Sequence, residues 1–284
     1  YAMISGTGDT FDTLAGNGPI TSYADDLLAL RSVKIYGDGA LGSRGAAMLE
    51  PYSDDPDNTG LLFHTQEEMN EMVLKAMSNG FQTNIHAIGD AANRQVLNAF
   101  ENAKDSLGEQ GLRNRIEHAQ IVSTEDIPRF NELNVIASMQ PTHATSDMNM
   151  AEDRVGASRM AGSYAWQTFI DQGTTVASGS DFPVEHVNPF YGLYSAVTRQ
   201  DHEGDPDGGW YPSQSMTREQ ALQSFTTDAA YAAHQENMLG SLEPGKWADF
   251  IVVDRDFFEV PDSEIWQTKV LETWVAGEKV YFAD

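Results

Sequence analysis

The strongest constraint on this chain is a repeated alternation, from about residue 31 to residue 187, of short apolar runs with helix-like stretches. The runs lie at 32–36, 81–86, 115–118, 134–140 and 174–180. Between them, segments such as 66–79 and 90–103 carry apolar residues at three- and four-residue spacing, which is the period of a helix with one buried face. Strands separated by helices pair in parallel, so the expected class is α/β, with strand-helix units wound around a parallel sheet.

The texture changes toward the C-terminus. Segment 217–234 reads as helical and opens with Thr217 followed three residues later by Gln220, a capping-box pattern. Residues 239–245 are turn-rich, and strand patterns at 248–254 and 270–281, the second folding across Gly277, predict a small antiparallel unit. Residues 201–212, with Gly204, Pro206, Gly208, Gly209 and Pro212, form a loop too long for a simple connection.

Composition excludes several functions. The formal net charge is -26, from 43 acidic against 17 Lys and Arg residues, and would repel phosphate backbones and anionic lipid, so neither nucleic acid nor membrane is an expected partner. No apolar run reaches the roughly 18 residues a spanning helix needs. With no cysteine, disulfides, thiol nucleophiles and thiolate metal sites are out, and any metal must be held by His, carboxylate or modified Lys. The first residue is Tyr1, so the true start is taken to be out of view; a cytoplasmic location is the expectation.

Chemistry is signalled by where the polar residues sit. Lys34, His86, His118 and Asp181 each fall at the end of, or just after, an apolar run. In a parallel barrel all strand C-termini reach one face, so these four residues are expected to face a common space. His86 and His118 offer imidazole nitrogens and Asp181 an oxygen, the donor types of zinc or a similar divalent ion. Each has a plainer alternative: a hydrogen-bonded core histidine, a helix-capping aspartate, or, for Lys34, a lysine that reaches solvent or pairs with Asp38.

These residues sit in recognisable segments. Val33-Lys34-Ile35-Tyr36-Gly37-Asp38-Gly39 with Gly42-Ser43-Arg44, Asn84-Ile85-His86-Ala87-Ile88-Gly89-Asp90, Arg115-Ile116-Glu117-His118-Ala119-Gln120, Met139-Gln140-Pro141-Thr142-His143 and Ser178-Gly179-Ser180-Asp181-Phe182-Pro183-Val184 resemble the amidohydrolase superfamily, specifically its family 3 or YtcJ-like branch. The resemblance continues through 240–250 and 273–281, which are similar to that family's closing β-sandwich.

The resemblance implies a TIM-type (β/α)8 barrel represented here by strands four to eight, over residues 1–238, with a β-sandwich segment at 239–284. It implies Lys34 as a metal ligand through carboxylation, His86 and His118 as metal ligands, and Asp181 as general base and further ligand. His143 would orient substrate or polarise a carbonyl, or be structural; Arg44 and Arg159 are assigned to substrate binding. The remaining His64, His186, His202 and His234 are read as surface or loop residues. One or two divalent ions, zinc being expected, would serve hydrolysis of an amide, formamide or cyclic amide in a small-molecule substrate, with ester or lactone hydrolysis the alternative.

The pattern departs from the family in one respect. Members open with a sandwich half and a first barrel strand ending in His-x-His, which is absent here. The expectation is a piece of a longer polypeptide whose missing N-terminal segment is a partner in the site, with an inactive partial barrel as the other possibility; a homodimer is also expected. Competing motifs are weaker: Asp55-x-Asp57-x-Thr59-Gly60 starts like a calcium loop but has Gln66 where a bidentate Glu is required, and no Gly-x-Ser-x-Gly elbow is present.

Overall fold

The apolar runs are strands and the periodic stretches helices in the computed structural model of the chain, which describes residues 1–283. In chain order come β1 (Ala2–Ser5), α1 (Asp9–Ala15), β2 (Ile20–Tyr23), β3 (Leu28–Tyr36), α2 (Gln66–Ser78), β4 (Gln82–Ala87), α3 (Asp90–Leu107), β5 (Arg115–His118), α4 (Ile127–Glu132) and β6 (Ile136–Met139). There follow α5 (Pro141–Asp147), α6 (Ala151–Val155), α7 (Trp166–Asp171), β7 (Val176–Ser178), α8 (Pro189–Thr198), α9 (Arg218–Phe225), α10 (Thr227–Ala232), β8 (Phe250–Val253), β9 (Val270–Val275) and β10 (Glu278–Phe282). Seven strands belong to one mostly parallel sheet and three to a separate antiparallel one. None of the described helices is long and apolar enough to cross a membrane.

The chain divides into two compact units, Tyr1–Ser138 with Asn149–Thr175, and Met139–Met148 with everything from Val176 onward. In the first unit, β1, β3, β4, β5 and β6 pair in parallel in that order, and β2 lies antiparallel on β3. The register puts Ile35, Ile85, Ile116 and Ala137 in one row, all buried, on the side where α2 and α3 pack. Because side chains alternate along a strand, the neighbouring positions form rows on the opposite face. One holds Lys34, Asn84 and Arg115; the next holds Tyr36, His86, Glu117 and Ser138.

Local chemistry fixes these elements. The α2 N-terminus is a capping box: the Glu68 amide donates to Thr65 Oγ1 at 3.2 Å and the Thr65 amide to Glu68 Oε2 at 2.9 Å. Two glycines allow close backbone approach: a Cβ on Gly37 would stand 2.9 Å from the His86 carbonyl oxygen, and one on Gly89 only 2.0 Å from that of Ala47. Ahead of the first apolar run, β1 adds a further parallel strand. Its four residues are too few to show a period, and only Ile4 is buried.

In the second unit the expected cap at Thr217 is present: the Gln220 amide donates to Thr217 Oγ1 at 3.2 Å and the Thr217 amide to Gln220 Oε1 at 2.8 Å. The single helix expected over 217–234 is two, broken at Thr226, whose φ of -123° and ψ of -86° leave the helical region. The three-stranded sheet has the order β10-β9-β8, all antiparallel, with β9 and β10 joined through Ala276 and Gly277 at φ 51° and 79°, as the turn at Gly277 predicts. Loop 201–212 is built on its own polar contacts: Asp201 Oδ1 accepts the amides of Glu203 and Asp205 at 3.0 and 2.9 Å, and the fully buried Arg199 donates to the Trp210 carbonyl. Segment 141–165 contains α5, α6 and a 3-10 turn at Ala157–Gly162.

Candidate metal centre and its surroundings

In the first unit, His86 and His118 are neighbours, their ring centroids 4.5 Å apart at 73°. His86 belongs to the polar row, whereas His118 pairs in register with Ala87, on the helix side. At φ 81° the His118 backbone leaves the pleat, so the side chain is not bound to that face, and Ala119 follows in the same left-handed region at φ 43°. Histidine is among the few residues besides glycine that tolerate this conformation, and such strain concentrates at functional positions.

His86 is held neutral. Burial, then the neighbouring His118 and the positive Lys34, push its pKa down to about 3, against the opposing effect of a backbone hydrogen bond with Gly39. Its buried Nε2 has no hydrogen-bond partner and lies 3.4 Å from Asp38 Oδ1. With the ring neutral, that approach is not an ion pair. A buried imidazole nitrogen without a hydrogen bond costs free energy as it stands and is the type of donor a divalent ion takes, so His86 fits a metal.

Two further carboxyls lie in this region: Asp38, read from the sequence only as an alternative partner for Lys34, and Glu117, given no role there. Asp38 accepts the amides of Ala47, Ile88 and Gly89 at 2.8, 2.9 and 2.8 Å, tying the loop after β3 to the turn after β4, which carries His86. Burial pushes its carboxyl up to about 7 despite those three donors. Glu117, in the row of His86, is buried too; burial would raise its pKa, but Arg115, with Nε 2.8 Å from Oε1, then Lys34 and the Ser138 hydroxyl, hold it below the usual carboxylate range. Lys34 Nζ sits 4.9 Å from the Tyr36 ring centroid. Among the described residues, no group of three or more His, Asp or Glu side chains is arranged to hold a metal.

In the second unit, Asp181 follows β7 in a left-handed conformation, φ 56°, with its side chain 40% exposed. The buried His143, on α5, places Nε2 3.9 Å from Asp181 Oδ2, an electrostatic contact too long for a hydrogen bond. Nearby Glu185 is raised by burial and then by Asp147 and Asp181, against a hydrogen bond from Ser146. The site residues named from the sequence thus fall in two groups: Lys34, His86 and His118 in the first unit, His143 and Asp181 in the second.

The two arginines assigned to substrate are engaged with the protein. Arg44 grips Asp54 with two bonds, Nε to Oδ1 at 3.0 Å and Nη2 to Oδ2 at 2.9 Å, and Arg154 pairs with the same carboxylate. Arg159 donates to the backbone carbonyls of Val155, Glu50 and Pro51 at 2.6, 2.8 and 2.7 Å, joining two loops. Of the other histidines, His202 stacks on Trp266 at 4.3 Å, and the His64 carbonyl accepts from Gln95.

Comparison with known proteins places this architecture. The chain is 35% identical over 261 residues to Protein LONG AFTER FAR-RED 3 of Arabidopsis thaliana, covering 92% of this chain and 44% of that protein. It is 34% identical over 250 residues to the putative amidohydrolase YtcJ of Bacillus subtilis, covering 88% of this chain and 47% of that protein. Among solved structures, an uncharacterized metal-dependent hydrolase from Pyrococcus horikoshii superposes with a TM-score of 0.79 at 30% identity, over 92% of this chain and 51% of that one. The chain therefore spans about half the length of the relatives it matches. The amidohydrolase family matches residues 9–281, and with the parallel sheet carrying its paired histidines at the strand ends, this chain belongs to that family.

Proposed function

We propose that the protein containing this chain is a metal-dependent hydrolase of a non-peptide carbon–nitrogen bond, an amide, formamide or cyclic amide, in a small molecule. The observation that carries the reading is the His86 and His118 pair, with His86 neutral, buried and its Nε2 without a hydrogen-bond partner. His86 and His118 would hold a divalent ion, zinc being the expected one, with Lys34 as a carboxylated ligand. When bound, such an ion supplies Lewis acidity toward the substrate carbonyl and makes water easier to deprotonate.

The remaining roles belong to the chain's own side chains. Asp181, partly exposed, takes the proton of the attacking water and delivers it to the leaving nitrogen, and His143 keeps that carboxylate oriented. Asp38 holds the turn after β4, and Glu117, in register with His86, is paired with Arg115. Replacing Asp181→Asn is expected to leave metal content unchanged and to lower turnover of an amide substrate about 10²- to 10⁴-fold; unchanged turnover would refute the assignment. A matched panel of amides and esters separates carbon–nitrogen from ester or lactone hydrolysis.

One observation favours a second reading, in which these residues are part of a barrel that works only with a further segment. No three His, Asp or Glu side chains among the described residues are arranged as ligands, and a catalytic zinc site takes three protein ligands. Metal analysis of this chain alone against the full-length protein decides it: stoichiometric metal in both sinks this second reading, and metal in the longer protein only supports it.

A further inference from the structure

We propose that Tyr36 is a specificity residue: its ring forms a wall of the substrate site and selects amides that carry a flat aryl or conjugated group. This rests on the hydrolase reading above. Tyr36 ends β3 and stands in register with His86, so it occupies the row of the candidate ligand at the C-terminal end of the sheet. Its neighbours in that row, His86 and Glu117, are 13% and 11% exposed at the side chain, whereas Tyr36 is 51% exposed.

A half-exposed aromatic residue is ordinary on a protein surface and by itself signifies nothing. What distinguishes Tyr36 is that its open ring is held in place. The Lys34 ammonium lies 4.9 Å from its centroid, and the His86 ring lies 5.5 Å away, tilted by 43°. The ring is therefore oriented by two polar neighbours, one of them the candidate ligand, while much of its surface stays available. An oriented, open aromatic face beside the reacting centre favours flat partners through offset stacking, and costs little to organise when they bind.

The test uses the full-length protein and two probes of the same bond, acetanilide and N-methylacetamide. Tyr36→Phe, which keeps the ring, is expected to preserve the ratio of their affinities, and Tyr36→Leu to lower the preference for acetanilide about five-fold, read as the ratio of the two KM values, with metal content unchanged. An unchanged ratio in Tyr36→Leu, or a ratio that moves only together with metal content, overturns the proposal. Equilibrium binding of both probes to metal-depleted protein reads the same ratio without turnover, so absence of amide hydrolysis would sink the hydrolase reading and leave Tyr36 still tested. Should Tyr36→Leu fail to fold, magnetisation transfer between the acetanilide ring and the Tyr36 ring in the unaltered protein decides: transfer supports the wall, none overturns it.

Discussion

Ile35, Ile85, Ile116 and Ala137 line up on the helix side of the parallel sheet, while Tyr36, His86, Glu117 and Ser138 line up one residue further along on the other side. The strands, register and backbone are shared, and the chemistry is opposite. The helix side is stabilised by removing apolar surface from water, at about 25 cal/mol per Å², and needs only volume and shape. The polar side gains nothing that way and must satisfy each buried group one by one. Arg115 answers Glu117, and three amides answer Asp38. His86 Nε2 is left without a hydrogen bond and is the unanswered polar atom of this row.

This comparison breaks most readily at the buried ion pair. Arg115→Leu leaves Glu117 buried with its closest counter-charge gone, and is expected to cost about 3–5 kcal/mol in urea unfolding, with most of the loss recovered when Glu117→Leu is added. A single-variant loss below about 1 kcal/mol would mean that the polar side is open to water and the contrast between the faces is overstated. On the other side, Ile85→Ala is expected to cost about 3 kcal/mol by emptying packed volume, while metal content in the full-length protein stays the same. A fall in metal content equal to that of a His86→Ala variant would show that the two faces are not separable.

The smallest expected effect concerns a carboxyl on the helix side. Asp90 opens α3, accepts the Leu49 amide at 2.7 Å, and has its pKa raised by burial, against that hydrogen bond and Arg159. A group easier to protonate in the folded than in the unfolded state contributes stability that is fully present below the unfolded pKa of 3.8 and is lost as pH rises through the folded value. Asp90→Asn keeps an oxygen for the Leu49 amide and removes the charge, so at neutral pH it is expected to be as stable as the unaltered protein or more so, by no more than about 1 kcal/mol. That advantage disappears at low pH. A variant less stable at neutral pH than at low pH, relative to the unaltered protein, would contradict burial as the dominant influence on Asp90.

Much of the fold was legible because it is written in local periodicity. The run at 115–118 is β5 to the residue, and 66–79 is α2 with Asn79 as its cap. The break at Thr226 was not legible, because apolar and small residues continue through it and only the backbone angles reveal the interruption. Within the candidate site, Lys34, His86 and His118 were visible as polar residues at the ends of apolar runs. Glu117 was not: strict alternation along β5 would put it on the face opposite His118, and only the left-handed backbone at His118 frees the histidine from that alternation. Arg44 and Arg159 read as cations available to a substrate, but their guanidiniums serve contacts within the protein, with partners from 4 to 109 residues away.

The sequence by itself determined the class of fold, the places of its strands and main helices, the absence of any cysteine chemistry, and the residue types that could meet a metal. These follow from composition and from contacts within a turn or two of chain, which spacing encodes directly. Only the tertiary structure decided which residues share a row, that Asp38 closes on the turn after β4, that Glu117 is paired and buried, and that His86 is held neutral. Those properties depend on strand register and on desolvation, and both are set by segments tens of residues apart whose pairing no local pattern records.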